Sequence, residues 1–258
     1  ATQADIDEVA LEVLALAGRT DQAILVGSRV AANLQALDAA PGRRTRAHLG
    51  VARAGVTACD WDTAREHLTL AGRCAAAAAD DDLTARVQTV AAHAALGQGQ
   101  PSDALPLAED ALATAERLGD HELACEALEV VGRCWRVSDA GASQQAFDRA
   151  RRLAEAHGLD LWRARAMSEL AWLDTMTGGG EERLLSARDL ALECGAWGIA
   201  AHLDLAHAQW FVDRFDLTRG VTLLRRCAGL ADRLGMPLLA ATAYATEVLA
   251  HAMSGDAD

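Results

Sequence analysis

A chain of 258 residues that is 51% hydrophobic and holds only four prolines is too apolar to stay disordered and has few helix breakers. Its 24 basic residues are all arginine and face 37 acidic ones, and the resulting charge of −13 argues against direct contact with nucleic acid through phosphates. No apolar run approaches a membrane span, and the start ATQADIDEVALEV lacks the basic and apolar regions of a signal peptide and an initiator Met, as an excised fragment would.

In chain order the periodicity predicts pairs of helices, a first (A) and a second (B), with no strand. The first pair covers about residues 6–17 and a helix capped by Asp21 that ends near Asp38, with Pro41-Gly42 punctuating the exit. The second covers about 45–58 and 63–79, and the acidic run Asp80-Asp81-Asp82 closes it and opens the next. The third covers about 83–96 and a helix N-capped by Ser102 that ends at Gly119, with Pro106 near its first turn. The fourth covers 121–137 and a helix to Gly158, and the fifth covers 159–176 and about 181–195, joined at Thr177-Gly178-Gly179-Gly180. The sixth covers 197–212 and a helix to Gly235, and a last helix over 238–253 follows Met236-Pro237 and caps the array. Thirteen helices in all make this an all-α solenoid filling 1–258 as one domain.

The B helices repeat one pattern: a small residue, an anchor seven positions later, and a stop. The anchors Val30, Ala71, Ala111, Ala150, Ala187 and Cys227 lie 41, 40, 39, 37 and 40 residues apart. The positions seven before them are Ala23, Ala64, Ala104, Ser143, Gly180 and Gly220, all small enough for close helix contact, and the stops are Asp38, Ala79, Gly119, Gly158, Gly195 and Gly235. Several of the six cysteines fall on apolar stripes without CxxC spacing, as reduced thiols in a cytoplasmic protein would.

This spacing resembles tetratricopeptide (TPR) repeats, on the paired small residues Ala23/Val30, Ala64/Ala71 and Ala104/Ala111. Repeats of about 40 residues with helix ends RLGD, AHGL and RLGM look like the sensor array of large ATP-binding LuxR-type (MalT-like) transcriptional regulators. The resemblance implies an ATPase module and a helix-turn-helix elsewhere in the gene, because neither a GxxxxGK[ST] loop nor a basic recognition helix occurs here. It also implies a concave groove lined by the A helices, at positions 25, 22 and 18 before each anchor. Those positions are Asp5, Glu8 and Glu12; Arg46, Leu49 and Arg53; Arg86, Thr89 and His93; Cys125, Leu128 and Gly132; Trp162, Arg165 and Glu169; and His202, Leu205 and Gln209. The candidate ligand or partner groove is thus Arg46, Arg53, Arg86, His93, Trp162, Arg165, Glu169, His202 and Gln209, with Arg46 above Arg86 and Arg53 above His93. Such charge-assisted donors beside an aromatic platform suit an anionic or hydroxyl-rich effector or an acidic peptide, although the same residues also fit solvated faces with arginine stems over alanine.

No covalent chemistry, cofactor or metal is expected. Asp80-Asp81-Asp82 misses the DDxxD spacing of terpenoid synthases, since position 84 is Thr, and His202 and His207 fall about 140° apart on a helix. The expected function is a ligand-sensing or protein-interaction domain of a LuxR-type regulator, with a protein or peptide partner, a small effector, or both. The groove would act by changing the pitch of the stack, with Gly178–Gly180 as the flexible point. A stand-alone interaction scaffold is the alternative, and the acidic first repeat leaves room for a homodimer.

Overall fold

The computed structural model describes residues 3–16, 19–176 and 179–255, apart from the side chains of a few α1 residues. The A helices are α1 (Gln3–Leu16), α3 (Pro41–Ala58), α5 (Asp81–Gly97), α7 (His121–Trp135), α9 (Asp160–Met176) and α11 (Trp197–Val212). The B helices are α2 (Thr20–Ala36), α4 (Trp61–Ala78), α6 (Pro101–Leu118), α8 (Ala140–Ala156), α10 (Glu181–Glu193) and α12 (Leu217–Leu234), and α13 (Pro237–Ser254) stands last. Among the described residues all thirteen expected helices form and no strand does. The chain divides into two compact units, Ala1–Ala146 and Phe147–Asp258, the division falling inside α8.

The six anchors are all at most 2% exposed, so small side chains let neighbouring helices close on one another there. All six stops take a left-handed backbone, with φ of 47° at Asp38, 50° at Ala79 and 72° at Gly119, then 67°, 75° and 67° at Gly158, Gly195 and Gly235. The position seven before the anchor packs as closely. A Cβ on Gly220 would lie 2.7 Å from the Val212 side chain, and the Ser143 hydroxyl donates to the Gly132 carbonyl at 2.8 Å. Repeat five departs from the pattern. Its B helix α10 has 13 residues, about a turn fewer than its counterparts, and Gly180 is its N-cap. The buried stripe there, Leu184, Ala187 and Ala191, keeps the register of the other B helices, so only the first turn is missing, and the position seven before the anchor falls at the cap.

Helix starts differ from expectation in three places. Pro41 and Pro101 each occupy the first turn, where the missing N–H costs nothing, so α3 and α6 begin before the expected residues. Ser102 therefore lies inside α6, and Arg19, not Asp21, stands at the cap of α2. Asp60, Asp80, Asp120, Asp139 and Asp216 are side-chain caps, each accepting from the backbone N–H three residues on.

In the first unit α3 packs on α2, α4 and α5, and α5 packs on α6 and α7, which sets α3, α5 and α7 in a row. In the second unit α11 packs on α9, α10, α12 and α13. Around it Ala201, Ala208, Leu224, Cys227, Ala228 and Ala243 make the core, and α13 leaves Leu238, Tyr244, Val248 and Leu249 exposed. No helix of the described residues is long and apolar enough to cross a membrane.

Candidate ligand groove

Helix starts give the register of the A-helix faces in the first unit. Arg46, Arg86 and Glu126 are each the sixth residue of α3, α5 and α7, and Arg53, His93 and Arg133 are each the thirteenth. Positions six and thirteen are seven apart and therefore share one helix face, so the row of helices brings both sets together. The fourth repeat is corrected by one residue. The span from the start of its A helix to the start of its B helix is one residue shorter, so counting back from Ala150 lands on Cys125, Leu128 and Gly132, which are buried. The residue that faces the row is Glu126.

Glu126 is the centre of the site. It is 5% exposed, an unusual place for a carboxylate, and it is held from two other helices. Arg53 of α3 donates through both terminal nitrogens, at 2.5 and 3.0 Å, a forked pair spanning 73 residues of sequence. His93 of α5 adds its Nε2 at 3.4 Å. Burial pushes the Glu126 carboxyl up, but the hydrogen bonds from His93 and Arg53 and the guanidinium charge outweigh it and hold the group well below the usual carboxylate range.

Beside it, Arg86 donates to Asp82 at 2.9 Å and to Asp120, the N-cap of α7. Burial works against the Arg86 charge, yet Asp82, Asp120 and Glu126 together raise its pKa. The predicted residues Arg53, Arg86 and His93 thus gather, with their donors turned to carboxylates of this chain. Arg46 is exposed and makes no ion pair among the described residues. In the first repeat Glu8 accepts from Arg43 at 2.8 Å, and the side chains of Asp5 and Glu12 lie outside the described residues, as does Gly178.

In the second unit the Arg165 guanidinium lies 4.7 Å over the ring of Trp162, both half-buried, and Glu169 is half-buried two turns on from Trp162. His202 is exposed with its Nδ1 2.9 Å from the Gly198 carbonyl, and Gln209 is half-buried. His207 is buried instead, 3.1 Å from Glu181 and stacked 4.9 Å from Phe211, so the two histidines do not meet at one site. Sequence reasoning missed Asp204. This carboxylate is fully buried, and its Oδ1 accepts from Arg188 of α10 and Arg226 of α12, each at 2.6 Å. Its signal was a lone acid between Leu203 and Leu205 in the apolar helix WGIAAHLDLAHAQWFV. Among the described residues no three His, Cys, Asp or Glu side chains are placed to hold a metal ion.

Solved structures identify the architecture. A Rap protein complexed with competence and sporulation factor is similar, with a TM-score of 0.76 at 16% identity, covering 91% of this chain and 66% of that one. Aspartyl phosphate phosphatase F from Bacillus subtilis scores 0.71 at 13% identity, covering 88% and 59%. The fold is that of TPR-like helical repeats. A STAND (signal transduction ATPase with numerous domains) protein from Pyrococcus horikoshii that carries a tetratricopeptide repeat sensor scores 0.61 at 15% identity, covering 92% of this chain and 37% of that one. The chain therefore spans about two thirds or less of these three structures. No family model matches the sequence, and no curated protein does.

Proposed function

We propose that the chain is a partner-sensing repeat domain whose first unit binds an acidic peptide or protein segment along the faces of α3, α5 and α7. The observation that carries this reading is the ordering of charge on that row. Glu126 lies beneath, its charge compensated from α3 and α5, while Arg46 stands exposed without a carboxylate and the Arg53 side chain keeps 42% of its surface. A ligand carboxylate meeting Arg46 and the outer edge of Arg53 gains charge-assisted bonds without breaking the pair beneath. The similar structures, one bound to a named factor and one a repeat sensor of an ATPase, support a sensing role. In the finer reading the domain belongs to a cytoplasmic LuxR-type regulator, where a bound peptide or small effector biases an attached module, and it does no catalysis.

The test is fluorescence anisotropy with an acidic peptide library, repeated on Arg46→Ala. Because Arg46 is exposed and unpaired, the variant should melt as wild type does while losing about tenfold in affinity for any bound peptide. Peptides that bind both proteins equally would place the partner elsewhere. Reading the gene on both sides, for a phosphate-loop domain and a helix-turn-helix, tests the regulator context.

A further inference from the structure

Away from the charged row, α2, α3 and α4 enclose a cleft of about 430 Å³ that the proposed peptide site does not use. Ser28, Gln35, His48 and His67 line it with polar atoms, and Ile24 and Leu70 with apolar ones. His48 and His67 are each 8% exposed, and their Nδ1 atoms lie 3.1 Å apart, so one ring donates and the other accepts. Burial first, then the neighbouring His67, Arg44 and Arg73, pull the His48 pKa down to about 4, and burial lowers that of His67 against the opposing pull of Glu66. At neutral pH the pair carries no charge, so the positive charge here belongs to the two arginines.

Those arginines are the unexplained feature. Arg44 is one turn before His48 on the same face of α3, and its Nε is buried with no acceptor. Arg73 extends the α4 stripe Thr63, Glu66, Leu70 that lines the cleft, and it is exposed. Because α3 and α4 form a hairpin in which His48 meets His67, Arg44 and Arg73 lie toward the same end of the pair. Neither makes an ion pair among the described residues, in a chain with 37 acidic residues for 24 basic ones. Glu66 lines the cleft but is exposed and bonded to neither. Arg44 and Arg73, which both act on His48, outnumber Glu66, the one carboxylate lining the cleft, and leave a net positive potential beside its polar and apolar walls.

We infer that this cleft binds a small organic anion, a carboxylate or phosphate whose charge is held by Arg44 and Arg73 and whose body fills the space beside His48 and His67. A cation is disfavoured by the same two arginines, and two imidazoles without a third ligand make a poor metal site.

The experiment is a titration of the ¹⁵N-labelled chain, following the imidazole resonances of His48 and His67. Inorganic phosphate and hexanoate are the probes, each run against sodium chloride at matched ionic strength. At least one anion should shift both histidines saturably, and Arg44→Gln/Arg73→Gln should weaken it by about tenfold or more, as the loss of a charge-assisted bond requires. Arg46→Ala should leave the titration unchanged, which separates this cleft from the peptide row. If the double variant melts early, Arg73→Gln alone, at an exposed position, should still weaken binding several-fold. No saturable shift from either anion, equal affinity in a folded variant, or a saturable response only to zinc chloride would overturn the assignment.

Discussion

Replacing Arg53 with methionine keeps most of the stem and removes the charge that compensates Glu126. Removing one partner of a buried ion pair costs about 3–5 kcal/mol, because the other charge is left in a low dielectric. Here two features reduce the figure. The Arg53 side chain is 42% exposed, so solvent screens part of its attraction, and His93 remains 3.4 Å from the carboxylate. About 2–3 kcal/mol is therefore expected for Arg53→Met. Glu126→Gln leaves a guanidinium that can turn to water and should cost about 1 kcal/mol. Arg53→Met/Glu126→Gln removes both charges and should cost about 1–2 kcal/mol, well short of the sum of the single changes. Urea unfolding followed by far-ultraviolet circular dichroism measures all four proteins on one scale. A loss below about 0.5 kcal/mol for Arg53→Met, or a double variant that equals the sum within about 0.5 kcal/mol, would refute the reasoning.

Asp204→Ala should cost about 2–3 kcal/mol in urea unfolding, since it leaves the Arg188 side chain, 22% exposed, with only the exposed Asp189 at 3.8 Å. His48 has a folded pKa of about 4 against 6.5 for an unperturbed histidine, so between these values the unfolded chain holds a proton that the folded chain does not. Stability therefore rises with pH across that window and is lost on acidification below about 6.5; the loss should reach about 3 kcal/mol near pH 4, and His48→Gln/His67→Gln should flatten the profile. Gly72→Ala, in a helix with nothing within 4 Å of the new Cβ, should gain about 0.5–1 kcal/mol, whereas Gly119→Ala, at φ 72°, should lose about 1 kcal/mol. Equal melting shifts for the two glycine variants would contradict the backbone argument.

The helical repeat was readable in sequence because its signals are local. A small residue, an anchor and a stop recur on one helix face, and the stops Asp38 and Ala79 took left-handed backbones although neither is glycine. Register across repeats was less legible, since it adds up connection lengths. One residue fewer before α8 moved the fourth repeat's facing residue from Cys125 to Glu126, and the shortened α10 left Gly180 at the cap instead of inside the fifth repeat's B helix. The prolines misled for a different reason: Pro41 and Pro101 are as much at home opening a helix as ending one. Glu126 and Asp204 stayed hidden because an acid on a helix reads as surface. Each is paired with arginines arriving from other helices, which no single-helix pattern records.

Arrays of helical repeats are usually described as one-dimensional chains, in which each unit feels only its immediate neighbours and stability is a sum of local and adjoining terms. The bond between Arg53 and Glu126 breaks that description. It joins the second repeat to the fourth past the whole of α5, while His93 ties the third repeat to the same carboxylate. The energy of that site belongs to three repeats at once, so none of them can open without exposing a charge held by the other two. Hydrogen exchange over α3, α5 and α7 should then show a single block released together, an interaction of longer range set into a structure otherwise built from nearest neighbours.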